Sequence, residues 1–210
     1  MNRRRPPNLV RAPSGQRARL RPVRLFRLRH PLVQVAPQPE MTQVPLQPIP
    51  SGQFYRVASP VEESLVTSPL ATELGKALEQ FAQSNGFSAE QPLSITFKRG
   101  TLGLHRFGRA ADIYAAGGKG IGQWASEWNA AMRQANAATD PQERARLIEE
   151  EKQRNLGYKL YKALQAHGGW AQPQSYPVQL FGPWTRGEGP HKTISDRLLR
   201  AHGDHLHIAK

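Results

Sequence analysis

The sequence contains no cysteine. That excludes a disulfide framework, thiolate-ligated zinc, iron–sulfur clusters and cysteine nucleophiles, and it leaves the redox compartment open. No apolar run approaches the about 18 residues that a membrane span needs, so no transmembrane helix is expected. Acidic residues are absent before Glu40, and the same stretch holds Arg3, Arg4, Arg5, Arg11, Arg17, Arg19, Arg21, Arg24, Arg27 and Arg29. The formal net charge of the 210-residue chain is +13, from 29 Lys+Arg against 16 Asp+Glu. With those ten arginines set aside, residues 40–210 carry 19 bases against 16 acids, a balance of only +3. The basicity therefore belongs to a leader. A folded nucleic-acid-binding domain would carry a basic stripe on its folded elements, so no nucleic acid is expected for the folded part.

The leader lacks an apolar core as well. Arg11, Arg17, Arg19, Arg21 and Arg24 interrupt every candidate stretch, so no secretory signal peptide is recognisable. Its charge resembles that of an organelle transit peptide, but seven prolines within residues 1–39 oppose the amphipathic helix such peptides form. Prolines at 37, 39, 45, 48 and 50 disfavour helix and sheet, and few large apolar groups are present to offset the entropy of ordering. Residues 1–60 are thus expected to be a disordered Arg/Pro-rich leader and residues 61–210 a folded catalytic domain. Residues 1–40 would offer contact to an anionic polymer or to a delivery machine.

Beyond residue 68 the pattern becomes regular. Leu70, Leu74, Ala77, Leu78 and Phe81 recur at helical spacing, with Asn85-Gly86 as a stop. Ser94-Ile95-Thr96-Phe97 alternates as a strand does. Ile121, Trp124, Trp128 and Met132 mark one face of a second helix, the tryptophans packing into the core. Asp140-Pro141-Gln142-Glu143 begins a third, running to about His167. Tyr176–Phe181 and Asp204–Ile208 read as short strands. The sum is an α+β domain of about three helices around a small sheet, long enough for one core.

Four of the seven histidines fall in two segments that each also hold an aspartate, His105-Arg106-Phe107-Gly108-Arg109-Ala110-Ala111-Asp112-Ile113 and His202-Gly203-Asp204-His205-Leu206-His207-Ile208. On a strand, side chains two apart point the same way, so His205 and His207 would reach a common point. Imidazole suits zinc and similar divalent ions, and Asp112, set among Ala110, Ala111 and Ile113, is the natural carboxylate to complete the set.

The pattern H-x-x-G-x-A-x-D from His105 to Asp112, followed by a terminal H-x-x-H-x-H, resembles the zinc peptidases of peptidoglycan. These are the D-alanyl-D-alanine carboxypeptidases and murein endopeptidases, whose metal site is shared with lysostaphin-type enzymes and hedgehog. The resemblance covers roughly residues 70–210. It implies a small antiparallel sheet carrying one zinc ion held by His105, Asp112 and His207. It implies a catalytic role for His205, beside the metal without binding it, and matches His202 to a further histidine of the endopeptidase branch. Asp204 occupies the place of the carboxypeptidase branch's catalytic carboxylate, yet on a continuous strand it would point away from His207. Both His205 and Asp204 remain candidates for the general base.

This sequence departs from the pattern at Gly103, where the family often has serine, and lacks a clear upstream arginine. Arg99 is the nearest substrate-binding candidate, set against a solvated strand-end role, and Arg109 is free to face either way. His191, in a Gly/Pro-rich loop, reads as a surface residue. The activity implied is metal-dependent hydrolysis of peptidoglycan peptide bonds at the cell wall, periplasmic or extracellular. A non-hydrolytic metal-binding module, or a wall-lytic effector delivered through its basic leader, is the alternative. Nucleic-acid binding by the leader would be steeply salt-dependent and lost on deleting residues 1–60.

Overall fold

Leu70, Leu74, Leu78 and Phe81 lie along one stripe of the first helix, α1 (Ser68–Ser84), and all are buried. Each contributes about 1.5–3 kcal/mol by leaving water. Pro69 sits in the first turn, where its missing N–H leaves no bond unmade, and Asn85 closes the helix, its side-chain amide donating to the Phe81 carbonyl at 2.8 Å. The computed structural model describes residues 44–170, 179–185 and 196–210.

The chain is α+β. Strands β1 (Leu46–Pro48) and β2 (Tyr55–Val57) precede β3 (Leu65–Thr67) and α1. Then come β4 (Leu93–Lys98), β5 (Ala110–Ala116), β6 (Lys119–Gly120), and helices α2 (Ile121–Ala137), α3 (Pro141–Arg154) and α4 (Leu156–His167). Strand β7 (Leu180–Phe181), helix α5 (Asp196–Ala201) and strand β8 (Leu206–Ala209) follow. β1 and β3 form a separate antiparallel pair. The larger sheet has the order β2-β4-β5-β8-β7, with β6 on β5, and is mixed because β2 runs parallel to β4. The connection between those two strands carries α1, as a parallel pair requires.

Strand alternation divides the sheet into two chemistries. Ile95, Phe97, Ile113, Leu206 and Ile208 enter one core cluster with the α1 stripe and with Leu160, Tyr161 and Leu164 of α4. Asp112 lies between Ala111 and Ile113, and His207 between Leu206 and Ile208, so both project from the opposite side. The same apolar residues that fasten the sheet to the helices thereby aim the polar ones away from them.

Three expectations change. The leader does not extend to residue 60. The compact unit begins at Thr42, and Ile49 and Tyr55 are buried within it. The Tyr55 hydroxyl donates to the Pro50 carbonyl at 2.5 Å, and the Glu79 carboxylate of α1 accepts from the backbone N–H of Gln53 at 2.9 Å and of Phe54 at 3.1 Å. Pro48 is accommodated in β1 because among the described residues that strand has only one neighbour, β3. The third helix is two. Asn155 leaves helical geometry, accepts from the Tyr158 N–H at 2.9 Å to start α4, and donates to the Trp124 carbonyl at 2.9 Å. With α5 the described residues hold five α-helices, not about three. Strand β8 starts at Leu206, two residues later than expected. Residues 1–43 of the expected leader, residues 176–178 of the expected strand and His191 lie outside the described residues.

The tryptophan expectation holds. Trp124 and Trp128 pack against the core, Trp124 donating to the Ala116 carbonyl at 3.2 Å and Trp128 stacking on Tyr158 at 4.2 Å. Asp140 starts α3 by accepting from the Gln142 N–H at 3.0 Å.

Candidate metal centre

Three separate segments converge on one point of the polar side of the sheet. His105 lies in a single 3-10 turn, Gly103–Phe107, that enters β5. Gly108 closes that turn at φ 65°, and a Cβ there would collide with the Leu46 side chain, so both backbone and space require glycine. Its N–H donates to the His105 carbonyl at 2.9 Å, and its own carbonyl accepts from the Thr67 N–H at 2.7 Å. Gly100 lets the His105 ring lie against the backbone, since a Cβ there would come within 2.6 Å of the imidazole Cδ2. Asp112 is on the central strand β5, and His207 is its direct partner on β8.

The donor atoms are close-set. His105 Nε2 is 3.2 Å from Asp112 Oδ2 and 3.2 Å from His207 Nδ1. His207 Nδ1 is 2.9 Å from Asp112 Oδ1. All three residues are buried. Two imidazoles and a carboxylate are the donor types of zinc-like divalent ions. Donors about 2.0–2.1 Å from a tetrahedral ion stand some 3.3 Å apart, which these separations approach. His105, Asp112 and His207 thus form a group that could hold a metal ion.

Burial alone would raise the Asp112 pKa. The hydrogen bonds from His105 and His207, and the charge those rings can carry, outweigh it and hold the carboxyl well below its usual range. It is an anion in a nearly dry setting. His105 Nδ1, also buried, has no hydrogen-bond partner among the described residues.

Further rings pack beside the group, His202 against His205 and His207. His205 Nδ1 donates to Asp204 Oδ1 at 2.8 Å, while its Nε2 lies 3.8 Å from Asp112 Oδ1. A carboxylate only accepts, so Nδ1 carries a proton and Nε2 is turned towards the metal-holding group. Asp204 precedes β8 and its side chain is 70% exposed, so strand alternation does not govern it and the tension over its direction disappears. His202 Nδ1 donates to the Leu198 carbonyl at 2.8 Å. Burial, with the nearby His207 and His205, lowers its pKa against the opposing carbonyl bond. Its ring centroid is 5.0 Å from that of His205 and 5.2 Å from that of His207.

The structure therefore brings together His105, Asp112, His202, Asp204, His205 and His207. Arg99 stands exposed beyond β4, where its backbone N–H donates to Glu63 at 2.6 Å; no described contact joins its side chain to the group. Arg109 turns to the C-terminal residue, its Nε donating to the Lys210 carbonyl at 3.1 Å. Sequence reasoning missed Tyr114, whose ring stacks on His205 with centroids 4.8 Å apart and planes 15° off parallel. The Lys98 ammonium lies 4.7 Å from the Tyr114 centroid. The signal was there: Tyr114 is two residues after Asp112 on a strand, and so on its face. Burial raises the Tyr114 pKa, aided by the negative charges of Asp112, Asp204 and Glu63, so the phenol stays neutral.

No protein-family model, no curated protein and no solved structure matches the chain. Among the described residues no helix is long and apolar enough to cross a membrane.

Proposed function

We propose that the chain is a zinc-dependent peptidase that hydrolyses peptide bonds of bacterial peptidoglycan, acting at the cell wall in the periplasm or outside the cell. The observation that carries the reading is the juxtaposition of a donor set, His105 Nε2, Asp112 and His207 Nδ1, with an imidazole that does not belong to it. That imidazole is His205, Nε2 3.8 Å from Asp112 Oδ1 and Nδ1 tied to Asp204. The spacing from His105 to Asp112 and the terminal H-x-x-H-x-H add the likeness to murein peptidases.

His105, Asp112 and His207 would hold the zinc ion. When bound it supplies Lewis acidity, polarising a peptide carbonyl and bringing the pKa of water towards about 7. His205 then serves as general base: its Nε2 takes a proton from the attacking water. Asp204 stabilises the imidazolium that forms and keeps Nδ1 protonated throughout. As the C–N bond breaks, His205 Nε2 returns the proton to the leaving amine, so water is consumed and one carboxylate and one amine are released. His202, kept neutral by burial, packs beside this ring without adding a competing charge. The leader would serve adhesion to anionic wall polymers or delivery.

The test is digestion of purified sacculi by the full chain, with released muropeptides identified by mass spectrometry. Chelator should abolish release and added zinc restore it. Intact sacculi after treatment with zinc-loaded, folded protein would overturn the reading.

A further inference from the structure

The proposed general base is poorly held by its own segment. His205 stands ahead of β8, after Gly203, and its only described hydrogen bond goes to its sequence neighbour Asp204. Asp204 is largely exposed, where water competes for its carboxylate. A terminal imidazole torsion is broad, so rotating the ring out of its present plane has little intrinsic cost. Such a turn would take Nδ1 off Asp204 and carry Nε2 away from the group around Asp112. Something other than the hydrogen bond must choose the plane of the ring.

Tyr114 is placed to choose it. It projects from β5, which is bonded on one side to β4 and on the other to β8, the sheet's best-anchored strand. Its flat face lies on the His205 ring at 4.8 Å and 15°, the one near-parallel contact His205 makes among the described residues, since His202 meets it at 51°. The Lys98 ammonium, on the strand position paired with Asp112, lies 4.7 Å from the Tyr114 centroid and adds a cation–π contact to that ring. Lys98, Tyr114 and His205 thus form a short column beside the donor set, running from the inner strand to the loop before β8.

We infer that Tyr114 is a positioning residue for His205. Its ring face, rather than its hydroxyl, fixes the imidazole plane in which Nδ1 meets Asp204 and Nε2 faces the metal-holding group. This rests on His205 being the base of the proposed hydrolysis. It assigns Tyr114 no contact with the reacting atoms, and it separates ring shape from phenol chemistry. Phenylalanine and tryptophan preserve the flat face; leucine preserves bulk without it.

The experiment uses the full chain, with histidine labelled in both ring nitrogens, as wild type, Tyr114→Phe, Tyr114→Trp and Tyr114→Leu. Long-range nitrogen–proton spectra of the chelator-treated proteins report the His205 tautomer, independently of any activity. Wild type, Tyr114→Phe and Tyr114→Trp should show one Nδ1-protonated ring, and Tyr114→Leu an averaged one. On sacculi, zinc-loaded Tyr114→Leu should lose about tenfold in kcat with KM unchanged, part of the roughly 10²–10⁴ that a general base contributes. Tyr114→Phe should match wild type.

A single Nδ1-H tautomer in Tyr114→Leu overturns the inference, as does loss of that tautomer in Tyr114→Phe. Should Tyr114→Leu fail to fold, the pair Tyr114→Phe and Tyr114→Trp decides it. Absence of sacculus hydrolysis in wild type strikes the peptidase reading alone, because the tautomer spectra still show whether Tyr114 sets the ring.

Discussion

Asp112 and His207 are direct partners across the β5–β8 ladder, Oδ1 and Nδ1 2.9 Å apart. An anionic carboxylate and an imidazole nitrogen are thereby fixed by two backbones rather than by flexible loops, and only His105 arrives from a turn. The rigidity of the candidate centre follows from the pairing register of the sheet.

Replacing Asp112 by asparagine keeps the shape of the side chain and removes its charge. Metal affinity should fall roughly 10²-fold or more, since even a group that only supports a ligand is worth about 10–100-fold. Titration of the purified variant with zinc, against wild type, measures this. Unchanged affinity would remove Asp112 from the donor set.

Gly100→Ala tests the turn instead of the ligands. Its new Cβ would fall 2.6 Å from the His105 ring, so the ring must move off its present position. Zinc affinity should drop while the thermal midpoint shifts only slightly, because Gly100 is outside the core cluster. Equal affinities would show that His105 has room the structure does not display.

The two segments that meet here were readable because their contents pointed one way. Histidine and aspartate are conspicuous, and the apolar neighbours of Asp112 marked it as a carboxylate in need of a partner, although the strand Ala110–Ala116 that carries it was not foreseen. Helix α1 and the start of α3 were legible for the same local reasons, an apolar stripe and an Asp-Pro cap. What escaped was non-local. Asn155 breaks the expected long helix because its amide finds Trp124, 31 residues earlier. Residues 44–60 are ordered because Tyr55 and Glu79 meet them in space, which no proline count shows. Tyr114 matters through a ring 91 positions along the chain, and β-strand composition alone gives it no partner.

The start of the ordered unit yields a third expectation. A chain beginning at Thr42 retains Ile49, Tyr55 and strands β1 and β2; one beginning at residue 61 loses them all. Burial of a large apolar side chain is worth about 1.5–3 kcal/mol, so the shorter chain forfeits several kcal/mol of a typical 5–15. Urea denaturation should show a cooperative transition near that of the full chain for the first and a greatly weakened one for the second. Equal midpoints would return residues 44–60 to the leader.

Tyr55 sets a pH dependence away from the metal-holding group. Burial first, and the charge of Glu79 second, push its pKa from 10.0 to about 12. A folded-state pKa above the unfolded value means the stabilisation is whole below pH 10 and fades as pH rises to about 12. Tyr55→Phe should be less stable at neutral pH by about 1 kcal/mol, for loss of the bond to the Pro50 carbonyl. The two proteins should converge through the alkaline window. A constant difference up to pH 12 in chemical denaturation would contradict the assignment.

The division of labour between His205 and Asp204 is decided by a double-mutant cycle. If His205 moves the proton and Asp204 only orients and balances it, His205→Ala should lower kcat on sacculi by about 10²–10⁴. Asp204→Asn should lower it less, because an exposed carboxylate is partly replaced by water. The double variant should then be no worse than His205→Ala, since Asp204 has nothing left to orient; residues acting as one unit are strongly non-additive. All three variants should keep stoichiometric zinc, since neither residue belongs to the donor set. Were Asp204 the base in its own right, the order of the single losses would reverse, with Asp204→Asn the more severe. Independent roles would make the two losses multiply, so the cycle separates both alternatives from the arrangement in which His205 carries the proton and Asp204 holds the ring's other nitrogen.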